Sequence, residues 1–342
     1  MPVQTTSPRP LRFLDPVMQR IEGSLDHISG ELKSACSHLF QAGGKGVRPA
    51  LVILCAHATR HCAGAETARE DAACCGEAGW EPDPAVVDVA AAAELIHVAS
   101  LIHDDIIDGA ATRRDRSSVN ARWGNHTAVL AGDCLFAAAF GLLAPYASLG
   151  LVTLMTDAIS RMCQGEILQR QQAFDPDVTE RAYVERIEGK TASLIAACCE
   201  AGARLGGADP AGVRAFREFG LNLGLAYQVI DDVLDFAGDA AAMGKPALAD
   251  LREGNLTLPV IYLIQRSEWR ARLVPCLLRR EIDDNTIDSV RRAVKETGAL
   301  DAALAYGRSL ARSAEAALSL LGPAPAADRL LGLLKAAVFR SA

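Results

Sequence analysis

Apolar residues recur at steps of three and four along nearly the whole chain. No stretch alternates with period two over the length of a strand, so the pattern predicts an all-α protein. The clearest case follows Asp209-Pro210, an N-cap and a first-turn proline. After it, Val213, Phe216, Phe219, Leu223, Tyr227, Ile230 and Leu234 line one face of a single long helix. A second helix is expected from about Thr179 to Arg204, stopped by Gly206-Gly207. A third, from about Ala85 to Asp108, is apolar nearly all round, as a helix is when it lies inside a large helical domain. The stretch from Cys134 to Thr156 carries no charge and has the length of a bilayer span. Gly141, Pro145, Tyr146, Ser148 and Gly150 within it instead predict a turn between two buried helices and no transmembrane span.

Two stretches interrupt the helical pattern. Residues 61–84, rich in Gly, Glu and Asp with two prolines, have loop composition and are expected to form a surface insertion. Its His61, Cys62, Cys74 and Cys75 match no standard zinc-ligand spacing and read as part of an exposed loop. Phe174 to Asp177 joins two helices, and nothing else resembles an interdomain linker. Residues 1–342 are therefore expected to form one domain, with 1–10 a loose tail that lacks the apolar run of a secretory signal. The ten cysteines are scattered without a C-x-x-C, which fits reduced thiols in a cytoplasmic protein. A net charge of −7, from 35 basic and 42 acidic residues, is opposite to what a nucleic-acid phosphate backbone attracts.

Candidate chemistry stands at the ends of two of these helices. Asp104-Asp105-Ile106-Ile107-Asp108 closes the apolar helix, and Asp231-Asp232-Val233-Leu234-Asp235 comes near the end of the helix that Pro210 begins. In a helix, residues four apart share a face about 6 Å apart along the axis, so Asp104 pairs with Asp108 and Asp231 with Asp235. Unneutralised carboxylates 4 Å apart repel by about 4 kcal/mol at an effective dielectric near 20. A divalent cation removes that cost, and oxygen-only ligation without His or Cys selects a hard ion such as Mg2+, which binds through one or two carboxylates plus phosphate oxygens and water. A lone acidic run is usually a solvated face, but both runs here abut the most apolar helical sequence in the chain, Leu95–Ile102 and Leu221–Ile230. Compact basic groups add the complementary charge: Lys45 and Arg48 within Gly43-to-Pro49, Arg113-Arg114, Lys190 beside Thr191, and Lys245. Together they exceed what one diphosphate needs, which suggests two.

The segments Gly43-to-Pro49, Glu94-to-Asp108, Gly189-Lys-Thr191, Tyr227-to-Phe236, Gly244-Lys-Pro246 and Leu256-to-Val260 resemble, in order, the trans-polyprenyl diphosphate synthase family. The resemblance implies a helical bundle of the isoprenoid synthase type around a deep central cavity, usually a homodimer, with an accessory subunit in some members. It also implies condensation of isopentenyl diphosphate with an allylic diphosphate. Both full motifs, Asp104, Asp105, Asp108, Asp231, Asp232 and Asp235, together with Lys190 and Gln228, would form the catalytic set. Asp104, Asp108, Asp231 and Asp235 would ligate the metal, about three Mg2+ ions with substrate bound. Lys190, Lys245 and Arg113 would hold the leaving diphosphate, Thr191 would bind substrate, and Gln228 would orient the second motif or the substrate. Lys45, Arg48, His97 and Arg114 would position isopentenyl diphosphate; His97 is marked only by its place in the family motif.

Ser100 and Ala99 stand four and five residues before Asp104, about 6 Å down the helix, and in the family small side chains there accompany long products, about C30 to C50. The expectation is a long-chain synthase serving quinone side chains. The alternatives are a short-chain synthase and a non-catalytic subunit of a heteromeric enzyme, and the second would ordinarily lack the aspartates present here. Two positions depart from the family pattern: Asp115, where glycine is common, and Asn255, where many short-chain members carry lysine.

Overall fold

The computed structural model describes residues 14–41, 46–63, 82–114, 116–237, 248–320 and 325–338, with backbone alone at 41, 61–63, 325–326 and 336–338. The expected tail, residues 64–81 of the expected insertion, Lys45, Asp115 and Lys245 lie outside the described residues. The chain groups into two compact units, one built on the described residues up to Met155 with Glu200–Asp209, the other mainly on Thr156–Cys199 and Pro210–Pro323.

The first unit is built around α4 (Pro84–Ile107), which follows α1 (Asp15–Ser24), α2 (Gly30–Gln41) and α3 (Val47–Ala63). Asp83 starts α4 by accepting a hydrogen bond from the Ala85 N–H at 2.9 Å, and Pro84 occupies the first turn, where its missing donor costs nothing. From Val86 to Ile102 nearly every side chain is buried, so α4 is the core of its unit, covered by α1, α3 and α5 (Val119–Leu143). Helix α3 runs to Ala63, three residues into the stretch expected to be a loop.

Although no strand was expected, Thr112–Arg113 and Arg116–Ser117 form a two-residue antiparallel ladder, β1 and β2. It is too short to show any alternation. After α5, a 3-10 turn at Ala144–Leu149 and Gly150 in the left-handed region (φ 68°) precede α6 (Leu151–Gln171). That turn divides Cys134–Thr156 as expected. Two described stretches, Pro84–Ile107 and Val119–Leu149, are long and apolar enough to cross a membrane; the first is mostly buried within its own unit, and the second contains this break.

The second unit is centred on α9 (Pro210–Ala237), the long helix expected from Pro210. The predicted helix before it is present but not uniform. It comprises α7 (Glu180–Ile187), a π-helical turn Glu188–Ala192 and α8 (Ser193–Leu205), whose last residues belong to the first unit. After α10 (Ala249–Arg252) come α11 (Leu258–Ile264), α12 (Ser267–Arg279), α13 (Asp284–Glu296), α14 (Ala299–Ser319) and α15 (Pro325–Val338). Helix α14 packs along α9, and α11 packs against α12, α13 and α14 around a core that includes Val229, Phe236, Leu258, Ile261, Val290 and Val294. The described cysteines form no disulfide with one another.

Candidate active site

In the first unit the aspartate motif occupies the last turn of α4, and Asp108 is its C-cap. Acidic side chains at the negative end of a helix dipole are each unfavourable by about 0.3–1 kcal/mol, the arrangement a cation would reverse. The three carboxylates are not equivalent. Asp104 is half-buried and Asp108 exposed, whereas Asp105 is fully buried and turned into the protein. Its Oδ1 accepts from Arg113 Nε at 2.8 Å and Nη2 at 2.5 Å. Its backbone carbonyl accepts from Asn120 Nδ2 at 3.1 Å and from the Ala110 N–H at 2.9 Å.

The hairpin that carries the arginine pair is fixed from several sides. Ser118 Oγ donates to the Ala110 carbonyl at 2.6 Å and also accepts from the Ala121 N–H to cap α5. The ring of His38, edge-on to Trp123, meets the Ser117 carbonyl through Nε2 at 2.8 Å. Arg114 sits at the turn itself with φ 52°, an unfavourable conformation for its type that the surrounding bonds hold in place.

Arg48, Arg113 and Arg114 all act on His97 of α4. Burial first, then these three charges, hold its imidazole well below the ordinary histidine range, so it is neutral at pH 7. The expected isopentenyl-diphosphate residues Arg48, His97 and Arg114 are thus brought together. Glu94, not singled out from sequence, joins them: it is buried on α4, its carboxyl raised by burial and opposed by Arg48 and Arg114. A lone acid in the middle of an apolar helix was the signal for it. Because the unfolded chain takes up a proton near pH 6.5 that the folded His97 refuses, stability is full above that pH and lost below it. The loss is at most about 1.4 kcal/mol per pH unit. His97→Gln should therefore flatten the fall of Tm between pH 7 and 5, measured by thermal unfolding in parallel with the unmodified chain.

Ala99 is fully buried, and the Ser100 hydroxyl turns back to the His97 carbonyl at 2.8 Å, so neither projects bulk from this part of α4.

In the second unit, the motif on α9 repeats the same division of labour with different partners. Asp231 and Asp235 are half-buried, whereas Asp232 is buried and both its oxygens are engaged, by Tyr183 Oη at 2.7 Å and Gln228 Nε2 at 2.8 Å. Burial pushes the Asp232 carboxyl up to about 7, despite these two donors. Gln228 in turn accepts from Thr191 Oγ1 at 2.9 Å. Lys190 is half-buried, with Nζ 2.6 Å from Glu166 Oε2 in an ion pair without hydrogen-bond geometry, and donates to Gln169 Oε1 at 3.2 Å.

The π turn that carries Lys190 and Thr191 lies backbone to backbone on α6. A Cβ at Gly165 would stand 2.5 Å from the Lys190 nitrogen, and one at Gly189 would stand 2.8 Å from the Arg161 carbonyl. Sequence reasoning missed Glu166, Gln169 and Tyr183. The acid and amide one turn apart after Gly165 were a readable signal for the first two. Asn255, the departure from the family pattern, is buried in the turn after α10 with its N–H donating to the Asp250 carbonyl.

Among the described residues, no three His, Cys, Asp or Glu side chains converge into a complete metal cage. Each motif offers oxygen donors alone, from one pair of carboxylates four residues apart, which suits a hard divalent ion that completes its shell with phosphate oxygens and water. Arg113, one of the cations around neutral His97, meets the first motif through Asp105, and Thr191, next to Lys190, reaches the second through Gln228 and Asp232.

Similarity to known proteins bears on this arrangement. The family model described as polyprenyl synthetase matches residues 29–296. The chain is 36% identical over 319 residues to heptaprenyl diphosphate synthase component 2 of Geobacillus stearothermophilus, covering 93% of this chain and 92% of that protein. It is 34% identical over 317 residues to a short chain isoprenyl diphosphate synthase of Methanothermobacter thermautotrophicus, covering 91% of each. Its fold matches the crystal structure of a polyprenyl synthase from Caulobacter crescentus CB15 complexed with calcium and isoprenyl diphosphate. The TM-score is 0.84 and the identity 34%, over 97% of this chain and 95% of that one.

Proposed function

This chain belongs to the polyprenyl synthetase family, and from that membership we propose that it condenses isopentenyl diphosphate with an allylic diphosphate to build a long all-trans polyprenyl diphosphate. The observation that carries the reading is that each aspartate motif sets two carboxylates, Asp104 with Asp108 and Asp231 with Asp235, four residues apart on one helix, beside a middle carboxylate that is turned into the protein. These pairs are the proposed Mg2+ ligands. When bound, the cations supply positive charge to the departing diphosphate. The chain's own groups do the rest. Lys190, Lys245 and Arg113 hold the leaving diphosphate, while Arg48, Arg114, Lys45 and neutral His97 hold isopentenyl diphosphate so that its alkene meets the allylic carbon. The apolar residues of α4 keep water from the cation formed as the C–O bond breaks.

Ala99 and Ser100 favour a long product of the kind attached to quinones. A short product is the second reading, favoured by the 34% identity to a short-chain synthase. We further place the enzyme in the cytoplasm as a homodimer; exposed Val129 and Leu130 on α5 support a subunit contact. The relative named as component 2 supports an accessory protein as an additional partner.

Incubating the chain with Mg2+, labelled isopentenyl diphosphate and farnesyl diphosphate, then separating products by length, tests the reading. Incorporation abolished by EDTA is expected, with long products from the unmodified chain and shorter ones from Ala99→Phe. Absence of incorporation would overturn the function. Unchanged product length in the variant would remove Ala99 from the wall that limits growth.

A further inference from the structure

The hydroxyl of Tyr183 has no place in the chemistry above, yet it is the buried end of a continuous chain of hydrogen bonds that runs outward through half-buried side chains. Thr191 Oγ1 donates to Gln228 Oε1 at 2.9 Å, Gln228 Nε2 donates to Asp232 Oδ1 at 2.8 Å, and Tyr183 Oη donates to Asp232 Oδ2 at 2.7 Å. Tyr183 is fully buried on α7, and the Arg186 guanidinium lies 5.4 Å from its ring centroid. Arg186 is itself fixed by the Leu256 carbonyl at 2.7 Å and Gln172 Oε1 at 3.3 Å. With Asp232 ionised, an acceptor only, all three bonds run toward it.

We propose that Tyr183 is a positioning residue for the second aspartate motif, acting through Asp232 to fix the aim of Asp231 and Asp235 and, through Gln228, the placement of Thr191 beside Lys190. Successive residues on a helix point about 100° apart. Anchoring Asp232 on one side of α9 therefore holds the rotation of that turn and keeps the neighbouring carboxylates on another side. Without the phenol, the buried Asp232 carboxylate keeps a single donor. It then turns to recover a second, and draws Gln228 and the π turn with it. The inference rests on the proposed reading that Asp231 and Asp235 hold metal.

The test is calorimetric titration of Mg2+ into the full chain in the presence of inorganic diphosphate, alongside turnover measured against Mg2+ concentration. Tyr183→Phe is expected to weaken Mg2+ binding by about 10- to 100-fold, the range found when groups that orient metal ligands are removed, with KM for isopentenyl diphosphate unchanged. Tyr262→Phe is the control: it deletes a similar tyrosine-carboxylate bond, to Glu180 Oε2 at 2.7 Å, in the same unit but outside the chain of bonds. It should cost stability without altering the Mg2+ response. If Tyr183→Phe loses stability like the control and keeps the unmodified Mg2+ response, Tyr183 is only structural and the proposal is wrong. If Tyr183→Phe does not fold, Thr191→Val, which cuts the chain at its other end, decides when titrated with Mg2+ without diphosphate, so that no diphosphate contact of Thr191 itself enters: a weakened Mg2+ response supports the proposal and an unaltered one overturns it. A chain that binds Mg2+ with diphosphate but shows no turnover would defeat the proposed function while leaving this inference to the titration.

Discussion

Asp104→Asn is expected to lower turnover by about 10²- to 10³-fold, the scale on which loss of one charge-stabilising group acts, while leaving the unfolding free energy within about 1 kcal/mol. Asp105→Asn, one residue further on, should behave differently. Asp104 is half-buried on the last turn of α4, where its charge opposes the helix dipole. The dipole at that end of the helix disfavours the charge, and under the proposed function the reaction needs it. Asp105 is fully buried and holds Arg113 through two nitrogens. An amide oxygen there can still accept both bonds but supplies no charge, leaving a guanidinium without its counterion. For a fully buried pair the loss would reach about 3–5 kcal/mol. Arg113 keeps 26% of its side chain exposed, so about 2–3 kcal/mol is the better expectation. Denaturant unfolding and steady-state rates on both variants check the contrast. Equal losses of stability and activity in the two would show that the motif does not divide its carboxylates in this way.

That division was not legible in the sequence, because the two motifs have the same spacing and differ only in their partners. Arg113 lies eight residues beyond Asp105, close enough to suggest itself. Tyr183 lies 49 residues before Asp232 and reaches it only because α7 packs beside α9. The long helices were readable, since burial on one face imposes a period that local sequence must carry, and a capping mark such as Asp209-Pro210 fixes where one starts. The π turn at Glu188–Ala192 was not, since the close backbone approach of Gly189 to α6 involves residues distant in the chain. The hairpin bearing Arg113 and Arg114 escaped notice because its register is set by His38, Ser118 and Asn120 and not by any alternation of its own. What periodicity reports is the face a helix buries. What it omits is which distant side chain completes a site.

The π turn leads to the second large effect, expected from Gly165→Ala. A Cβ at Gly165 would lie 2.5 Å from the Lys190 nitrogen and 3.0 Å from both the Arg186 carbonyl oxygen and the Gly189 carbonyl carbon. All three are backbone atoms, so no side chain can swing aside to admit the methyl. Helix α6 and the π turn must separate instead, at about 1–3 kcal/mol for overpacking of this kind. The shift acts on the site as well as on stability, because Lys190 reaches Glu166 and Gln169 across this contact. An outward shift of about 1 Å is enough to cost a positioned group about 10²-fold in rate. Gly141→Ala is the matched control: Gly141 is also in a helix, and a Cβ there would meet nothing within 4 Å. That variant should keep full activity and gain up to about 1 kcal/mol from helix propensity. Thermal unfolding and kcat/KM for the allylic substrate on both variants separate the two effects. If Gly165→Ala is as stable and as active as Gly141→Ala, the backbone contact does not position Lys190.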